Sequence, residues 1–366
     1  MRLAVFIPTL QGGGAERAMS IVARGFAERG HQVDLLVASS EGPYRQTIPP
    51  EVRLIEFGRR GVMGCLMPLA RYLRTERPDA LYSAMSHANV VALIANRLAG
   101  NPARVIVSER TSFVSAKRHI RSPRNRIVRM AMRMTYRSAH RVVVVARAII
   151  DELHWSLGLD KSRIAAIPNP VVPTDLAALA AEQPASAVFS SGRPVILAAG
   201  RLAPEKDFGS LIRAFALVRQ RHDGLLAIIG EGPELPALKE LVRELGLTDH
   251  VEMPGFVSNP FAWMRSAQVF VLSSRFEGMP GVLIQAMACG TPVVSTDCRT
   301  GPSEILEDGR WGTLVPVGDE TKLADAISAS LERTDHPDVA VRARYFSEEN
   351  AVDAYLDLAR VSDRPS

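Results

Sequence analysis

Short apolar, β-branched runs alternate with amphipathic stretches along most of the chain, which is the pattern of βα units wound around parallel sheets. In the first half, the runs at residues 3–7, 32–38, 52–57, 79–84, 104–108, 141–145 and 163–167 predict strands. Residues 142–145 are four consecutive valines, as a strand buried on both faces requires. After the first run, Ala18, Met19, Val22 and Phe26 recur at helical spacing. Across 171–193 the periodicity stops, and Pro173, Pro184 and Ser190-Ser191-Gly192 predict a linker with a short helix over 175–181. The alternation resumes at 195–199. A helix opened by Asp207 follows, with Phe208, Leu211, Ile212, Phe215 and Val218 on one face, and further strands are predicted at 225–229, 269–272 and 292–295. The last helical pattern starts at Ser347, with Glu348 and Glu349 in its first turn where carboxylates favour the helix dipole.

These elements predict an α/β chain of two Rossmann-like, doubly wound parallel-sheet domains facing across a cleft. Residues 1–170 form the first domain, 171–193 the linker, 194–345 the second domain, and 346–366 a helix returning to the first. A length of 366 residues suits two domains of ~150–200 residues. Ligands of such sheets bind at the carboxyl ends of the strands, so the loops after strands are where chemistry is sought.

Composition narrows the function. The three cysteines, Cys65, Cys289 and Cys298, form no CxxC pair and no even set, which speaks against a disulfide framework or a thiolate zinc site and for a reducing, cytoplasmic setting. No apolar run reaches the ~18 residues of a membrane span, and the first strand candidate ends at Pro8, unlike a signal peptide. The net charge of +5 is uneven: residues 110–150 hold eleven Lys and Arg and no Asp or Glu, while acidic residues outnumber basic ones elsewhere. Within that segment Arg126, Arg129, Arg133 and Arg137 fall within ~80° of one another on a helical wheel, with Ile127, Met130, Ala131 and Met134 on other faces. Such a helix suits an anionic membrane surface, or else is a solvated face over a core contact. Nucleic acid is disfavoured, because only Phe113 and Tyr136 are available there for stacking.

Four stretches carry candidate chemistry. Gly12-Gly13-Gly14-Ala15-Glu16-Arg17 follows the first strand and opens a helix, offering free backbone N–H groups to an anion or a polar sugar. The spacing is not GxGxxG, and the second strand ends Val37-Ala38-Ser39-Ser40 without the acidic residue a nicotinamide dinucleotide needs. Arg201 and Lys206, in Gly200-Arg201-Leu202-Ala203-Pro204-Glu205-Lys206-Asp207, sit between a strand and a helix start. There they could stabilise charge developing on a leaving diphosphate, or be surface cations only. Gly230-Glu231-Gly232-Pro233 allows close backbone approach to a ligand or forms an ordinary turn. The fourth stretch runs Phe276-Glu277-Gly278-Met279-Pro280-Gly281-Val282-Leu283-Ile284-Gln285 and on to Pro292.

The fourth stretch closely resembles the signature of the retaining glycosyltransferases of family 4, which have the GT-B fold, and the glycine-rich loop and the 200–207 segment occur in matching order. The resemblance runs from residue 12 to about residue 305. It implies that Glu277 binds the donor sugar's hydroxyls, that Arg201 and Lys206 hold the donor diphosphate, and that Gly13, Gly14, Gly230, Glu231, Gly278, Met279, Pro280 and Gly281 approach the donor. Gly255, Phe256 and Val257 would border the base. The family has a second glutamate eight positions after the first, binding the ribose; here that position is Gln285, which loses the charge but keeps an amide that donates and accepts. His87, in Ser86-His87-Ala88-Asn89, resembles the family's sugar-contacting histidine in location and neighbours. Glu16, Arg17, Glu109 and Arg110 fall on the acceptor side, the last two in a stretch resembling the subgroup that acts from UDP-sugars on polyprenyl-diphosphate-linked glycans.

No DxD motif and no cluster with metal-ligand spacing occurs, so no metal or cofactor is expected besides the nucleotide sugar, which is substrate. The expected activity is transfer of a hexose or N-acetylhexosamine, from a UDP-linked donor, to a lipid-linked or polysaccharide acceptor at the inner face of a bacterial membrane. Two alternatives stay open: a UDP-N-acetylhexosamine epimerase on the same architecture, recruiting Glu109 and His87 as acid and base, and a membrane-bound scaffold whose donor binding Gln285 has weakened.

Overall fold

Thirteen strands are found among the described residues, and they form two all-parallel sheets. The structure, a computed structural model, describes residues 1–11, 13–110, 123–184 and 186–360. The chain divides into two units: residues 1–170 with the chain from Glu348 onward, and Val171–Ser347.

In the first unit, β1 (Arg2–Ile7), β2 (Gln32–Val37), β3 (Val52–Glu56), β4 (Ala80–Ala84), β5 (Arg104–Glu109), β6 (Arg141–Val144) and β7 (Ile164–Ala166) pair in the order β3-β2-β1-β4-β5-β6-β7. The helix Gly14–Glu28 buries Ala18, Met19, Val22 and Phe26, the face its spacing predicts. Met19, Val22 and Phe26 each contribute about 1.5–3 kcal/mol on leaving water. The C-terminal helix Glu348–Arg360 seals the other side of that contact. Gly25 lets Val352 come where a Cβ would stand 2.4 Å from its methyl, Arg29 pairs with Asp353 at 2.8 Å, and the Tyr82 hydroxyl donates to the Tyr355 carbonyl at 2.9 Å.

In the second unit, β8 (Val195–Ala199), β9 (Leu225–Ile229), β10 (Val251–Gly255), β11 (Val269–Leu272), β12 (Val293–Thr296) and β13 (Thr313–Val315) pair in the order β10-β9-β8-β11-β12-β13. The helix Phe208–Val218 buries Phe208, Leu211, Ile212, Phe215 and Val218. Sequence patterning finds the four inner strands and misses β10 and β13, the two edges. Edge strands need no continuous apolar run, and β10 carries Pro254, which only an edge tolerates easily.

The described residues of the stretch 171–193 belong to the second unit rather than to a linker between the two. Its helix Leu176–Ala181 is held where the Asn259 amide donates to the Leu179 carbonyl at 2.8 Å. Ser186 donates to Glu252 at 2.6 Å, and Phe189 packs edge-on against Trp263.

Both sheets reverse winding direction once, between β1 and β4 in the first unit and between β8 and β11 in the second. Where neighbouring strands send their following helices to opposite faces, a crevice opens at their carboxyl ends. The glycine-rich loop and Ser86-His87 leave the first such point, and the loops carrying Lys206 and Glu277 leave the second.

Candidate active site

Glu277 lies in the loop between β11 and the helix Gly281–Ala288. Its Oε1 accepts from Lys206 Nζ at 2.6 Å and from Ser274 Oγ at 2.6 Å. Its Oε2 has no hydrogen-bond partner among the described residues, while the Thr300 hydroxyl donates to the Glu277 carbonyl. The carboxylate side chain is nine-tenths buried, so the ion pair with Lys206 is shielded from solvent and removing either partner leaves a charge without compensation. One oxygen is thus anchored and the other is available to accept from a hydroxyl.

The loop after β8 is locked onto the loop after β11 by backbone and side chain alike. Ser273 Oγ donates to the Lys206 carbonyl at 2.8 Å, Arg275 N donates to the Glu205 carbonyl at 2.8 Å, and Arg275 Nε donates to Asp207 Oδ2 at 2.7 Å. Asp207 is buried and held in the left-handed region at φ 51°, a conformation unfavourable for a residue with a Cβ and sustained here by that ion pair. Sequence reading did not single out Ser274, Arg275 or Thr300. Their roles come from two loops meeting in space, and only the position after a strand hinted at them.

Arg201 is exposed and has no hydrogen bond or ion pair among the described residues, so its guanidinium is open to an anion. Gly230, at φ 131°, meets its own chain first: a Cβ there would stand 2.0 Å from the Gly200 carbonyl oxygen. Its close approach therefore serves the packing of the β8 and β9 loops, where the expectation had it serving a ligand. Glu231 is exposed and its carbonyl accepts from Leu202 N at 2.8 Å. Gly255 ends β10 and its carbonyl accepts from Gly230 N at 2.7 Å. Phe256, 74% exposed, and half-buried Val257 follow it. Gly278 is half-buried and Met279 and Pro280 are buried. Their loop closes on Gly301, where a Cβ would come within 2.5 Å of Pro280 Cδ. Gly281 begins the following helix. On that helix Gln285 is buried and its Nε2 donates to the Val171 carbonyl at 3.3 Å, a bond a glutamate could not make. Burial pushes the nearby Cys298 thiol up to about 12, and the charge of Glu277 adds to the shift.

In the first unit, Gly12 lies outside the described residues. Gly13 precedes the helix Gly14–Glu28 and its N–H donates to Glu16 Oε2 at 2.7 Å, while Thr9 donates to the other oxygen. Glu16 is buried and occupied in capping its own helix, which corrects its assignment to the acceptor. Gly14 faces open space and Arg17 is exposed, with no partner among the described residues. His87 is the half-buried second residue of the helix Ser86–Leu98. Met85 before it is held at φ 80°, strain of the kind that collects at functional junctions.

Glu109 and Arg110 do not present themselves to an acceptor. Glu109 is 2% exposed and accepts from Ser86 Oγ at 2.9 Å, from Asn89 Nδ2 at 2.9 Å and from the Tyr136 hydroxyl. Burial outweighs those three donors and raises its carboxyl above the ordinary glutamate value. Arg110 is a tie within the fold: its guanidinium donates to Asn169 and, at 3.0 Å, to the Tyr355 hydroxyl of the C-terminal helix. Sequence order places both after a strand, but only coordinates show that the side chains turn inward.

Comparison with known proteins bears on the fold and the family. Residues 193–333 match the family model described as glycosyl transferases group 1, and residues 12–175 match the model described as glycosyltransferase family 4. The N-acetylgalactosamine-N,N'-diacetylbacillosaminyl-diphospho-undecaprenol 4-alpha-N-acetylgalactosaminyltransferase of Campylobacter jejuni is 26% identical over 90% of each chain. The lipopolysaccharide core biosynthesis glycosyltransferase LpsE of Rhizobium meliloti is 28% identical over 94% of this chain and 95% of its own. Among solved structures, Anabaena HepE in complex with UDP superposes with a TM-score of 0.76 at 21% identity, covering 98% of this chain and 99% of that one, and shows the same fold. Residues 12–175 and 193–333 thus carry the two domains of a glycosyltransferase that is family-4-like and has the GT-B fold, and the chain is a hexosyltransferase.

Proposed function

We propose that the protein transfers a hexose or N-acetylhexosamine, with retention at the anomeric carbon, from a UDP-sugar to a lipid-linked or polysaccharide acceptor of bacterial cell-surface glycan synthesis. The observation that carries this reading is the Glu277 carboxylate at the switch point of the second sheet, with one oxygen fixed by Lys206 and Ser274 and the other uncommitted. In this reading Oε2 accepts from a sugar hydroxyl and orients the ring, so that the anomeric carbon faces the acceptor. Arg201 approaches the diphosphate from its exposed position, and Lys206 shares its charge between Glu277 and the departing phosphate, which lowers the barrier to bond cleavage. Phe256 offers an exposed ring to the base, and the Gln285 amide, its nitrogen engaged with Val171, offers its oxygen to a ribose hydroxyl. The names of the Campylobacter and Rhizobium relatives, which are said of those proteins, support an acceptor of the lipid-linked or lipopolysaccharide class.

Of the two residues the epimerase reading recruits, Glu109 is enclosed by Ser86, Asn89 and Tyr136, which leaves that reading His87 alone and favours transfer. The test is incubation with radiolabelled UDP-hexoses and a polyprenyl-diphosphate-linked saccharide, followed by NMR of the product anomer. Label in the lipid fraction with the donor's α configuration supports the proposal; sugar interconversion without an acceptor, or an inverted product, overturns it.

A further inference from the structure

The strands of the second sheet lie side by side in the order β10, β9, β8, β11, β12, β13, each about 4.8 Å from the next. The loops leaving their carboxyl ends form a row in the same order: Phe256 follows β10, Arg201 and Lys206 follow β8, Glu277 follows β11, and residues 297–301 follow β12. In the donor reading above, the base, the diphosphate and the sugar take the first three of these places in turn. The loop after β12 lies one strand beyond Glu277, on the side away from Lys206.

That loop is fixed to its neighbours on both sides. Asp297 N donates to the Val315 carbonyl at 2.7 Å, and the Thr300 hydroxyl donates to the Glu277 carbonyl. A Cβ on Gly301 would stand 3.1 Å from the Gly278 carbonyl oxygen, so the loops after β11 and β12 touch there as well. The Cys298 thiol feels the charges of both Glu277 and Lys206, which puts the loop within electrostatic range of that pair. Cys298 and Thr300 are buried, while Asp297 and Arg299 alternate with them and are exposed. Arg299 has no hydrogen bond or ion pair among the described residues, Asp297 included.

A free guanidinium on an anchored backbone loses little freedom on binding, and its planar fork matches a carboxylate with two parallel hydrogen bonds. The order of the row sets what it meets. The diphosphate lies on the opposite flank of Glu277, beside Arg201 and Lys206. A pyranose held through its hydroxyls by Glu277 turns C1 to that flank and its C4–C6 edge to the loop after β12, because the ring is about one strand step wide. A neutral sugar places only hydroxyls at that edge. A hexuronate places its C6 carboxylate there, where Glu277 and Asp297 would repel it without a cation between them. We propose that Arg299 is a donor-specificity residue, pairing with the C6 carboxylate of a UDP-hexuronate. This rests on the donor reading of the Glu277 site and narrows its sugar to the hexuronic acids.

The full chain is titrated calorimetrically with UDP and with two pairs of donors that differ only at C6: UDP-glucuronate against UDP-glucose, and UDP-galacturonate against UDP-galactose. No acceptor is present, so a preference seen here belongs to the donor and not to an acceptor phosphate. In at least one pair the uronate should bind ~tenfold more tightly than its neutral partner. Arg299→Ala should erase that preference while UDP and the neutral donor bind within about twofold of wild type. Arg299→Lys keeps the charge without the fork and should retain part of the preference. Arg299 is exposed, so both variants should keep the wild-type unfolding midpoint, which separates loss of recognition from loss of fold. The proposal is overturned if neither uronate is preferred or if the preference survives in Arg299→Ala. It is also overturned if that variant weakens UDP itself as much as the uronate donor, which would put Arg299 on the diphosphate. Binding of UDP and a neutral donor without any preference removes the role of Arg299 alone, whereas no binding of any UDP ligand removes the donor reading with it.

Discussion

In the proposed reading Glu277 is the residue on which the chemistry turns, and its environment sets what a substitution does. Glu277→Ala removes the sugar-orienting oxygen and leaves Lys206 without its partner, so transfer should fall at least ~100-fold, with the fold retained by circular dichroism; turnover within a few fold of wild type would take Glu277 out of the site. Gln285→Glu replaces a donor to the Val171 carbonyl by a carboxylate, which must turn away from that oxygen. Tighter UDP binding in calorimetry is expected if the position meets ribose, and unchanged affinity would place the ribose elsewhere. Glu109 bears on stability rather than turnover. Its folded carboxyl titrates above the ordinary value of about 4.3, so between the two values the native state holds more protons than the unfolded chain. Stability therefore falls as pH rises through that window. Glu109→Gln should flatten this slope in urea unfolding followed from acidic to neutral pH; an undiminished slope would assign it to another group. None of this inward chemistry was legible from Ser108-Glu109-Arg110, because a residue at a strand end turns inward or outward according to neighbours that the sequence does not place beside it.

At the level of elements, what was legible followed from periodicity. Four inner strands of the second sheet and the buried face of Phe208–Val218 appear in the hydrophobic pattern because they are buried on the faces that pattern records. The edge strands β10 and β13 and the packed 171–193 stretch do not, since their order comes from partners distant in sequence such as Asn259 and Glu252. The C-terminal helix is held on the first unit by several such ties, Arg110 among them. Arg110→Ala should lower the unfolding free energy by ~1–3 kcal/mol while UDP affinity stays at the wild-type value. Loss of acceptor use at unchanged stability would restore Arg110 to the acceptor side. The loops after β8 and β11 are locked together in the same way, with Arg275 holding the Lys206 loop through Asp207 and the Glu205 carbonyl.

Across the whole molecule, the same device is built twice: a parallel sheet whose winding reverses once, with the glycine-rich and acidic loops gathered at the reversal. The stretch 276–292 pointed to this fold and family before any coordinates through its resemblance to the family's signature. The arrangement of Ser274, Thr300 and Arg275 around that carboxylate needed the structure. The central claim is that the second unit holds a nucleotide diphosphate sugar through Arg201, Lys206 and Glu277. The most direct measurement is titration calorimetry of the full chain with UDP, GDP and ADP and their common sugars, repeated on Arg201→Ala and Lys206→Ala. One nucleotide sugar, UDP-linked, should bind in the micromolar range, and each substitution should weaken it at least ~tenfold. Binding that both variants retain at wild-type strength, or no binding of any nucleotide sugar, would contradict it.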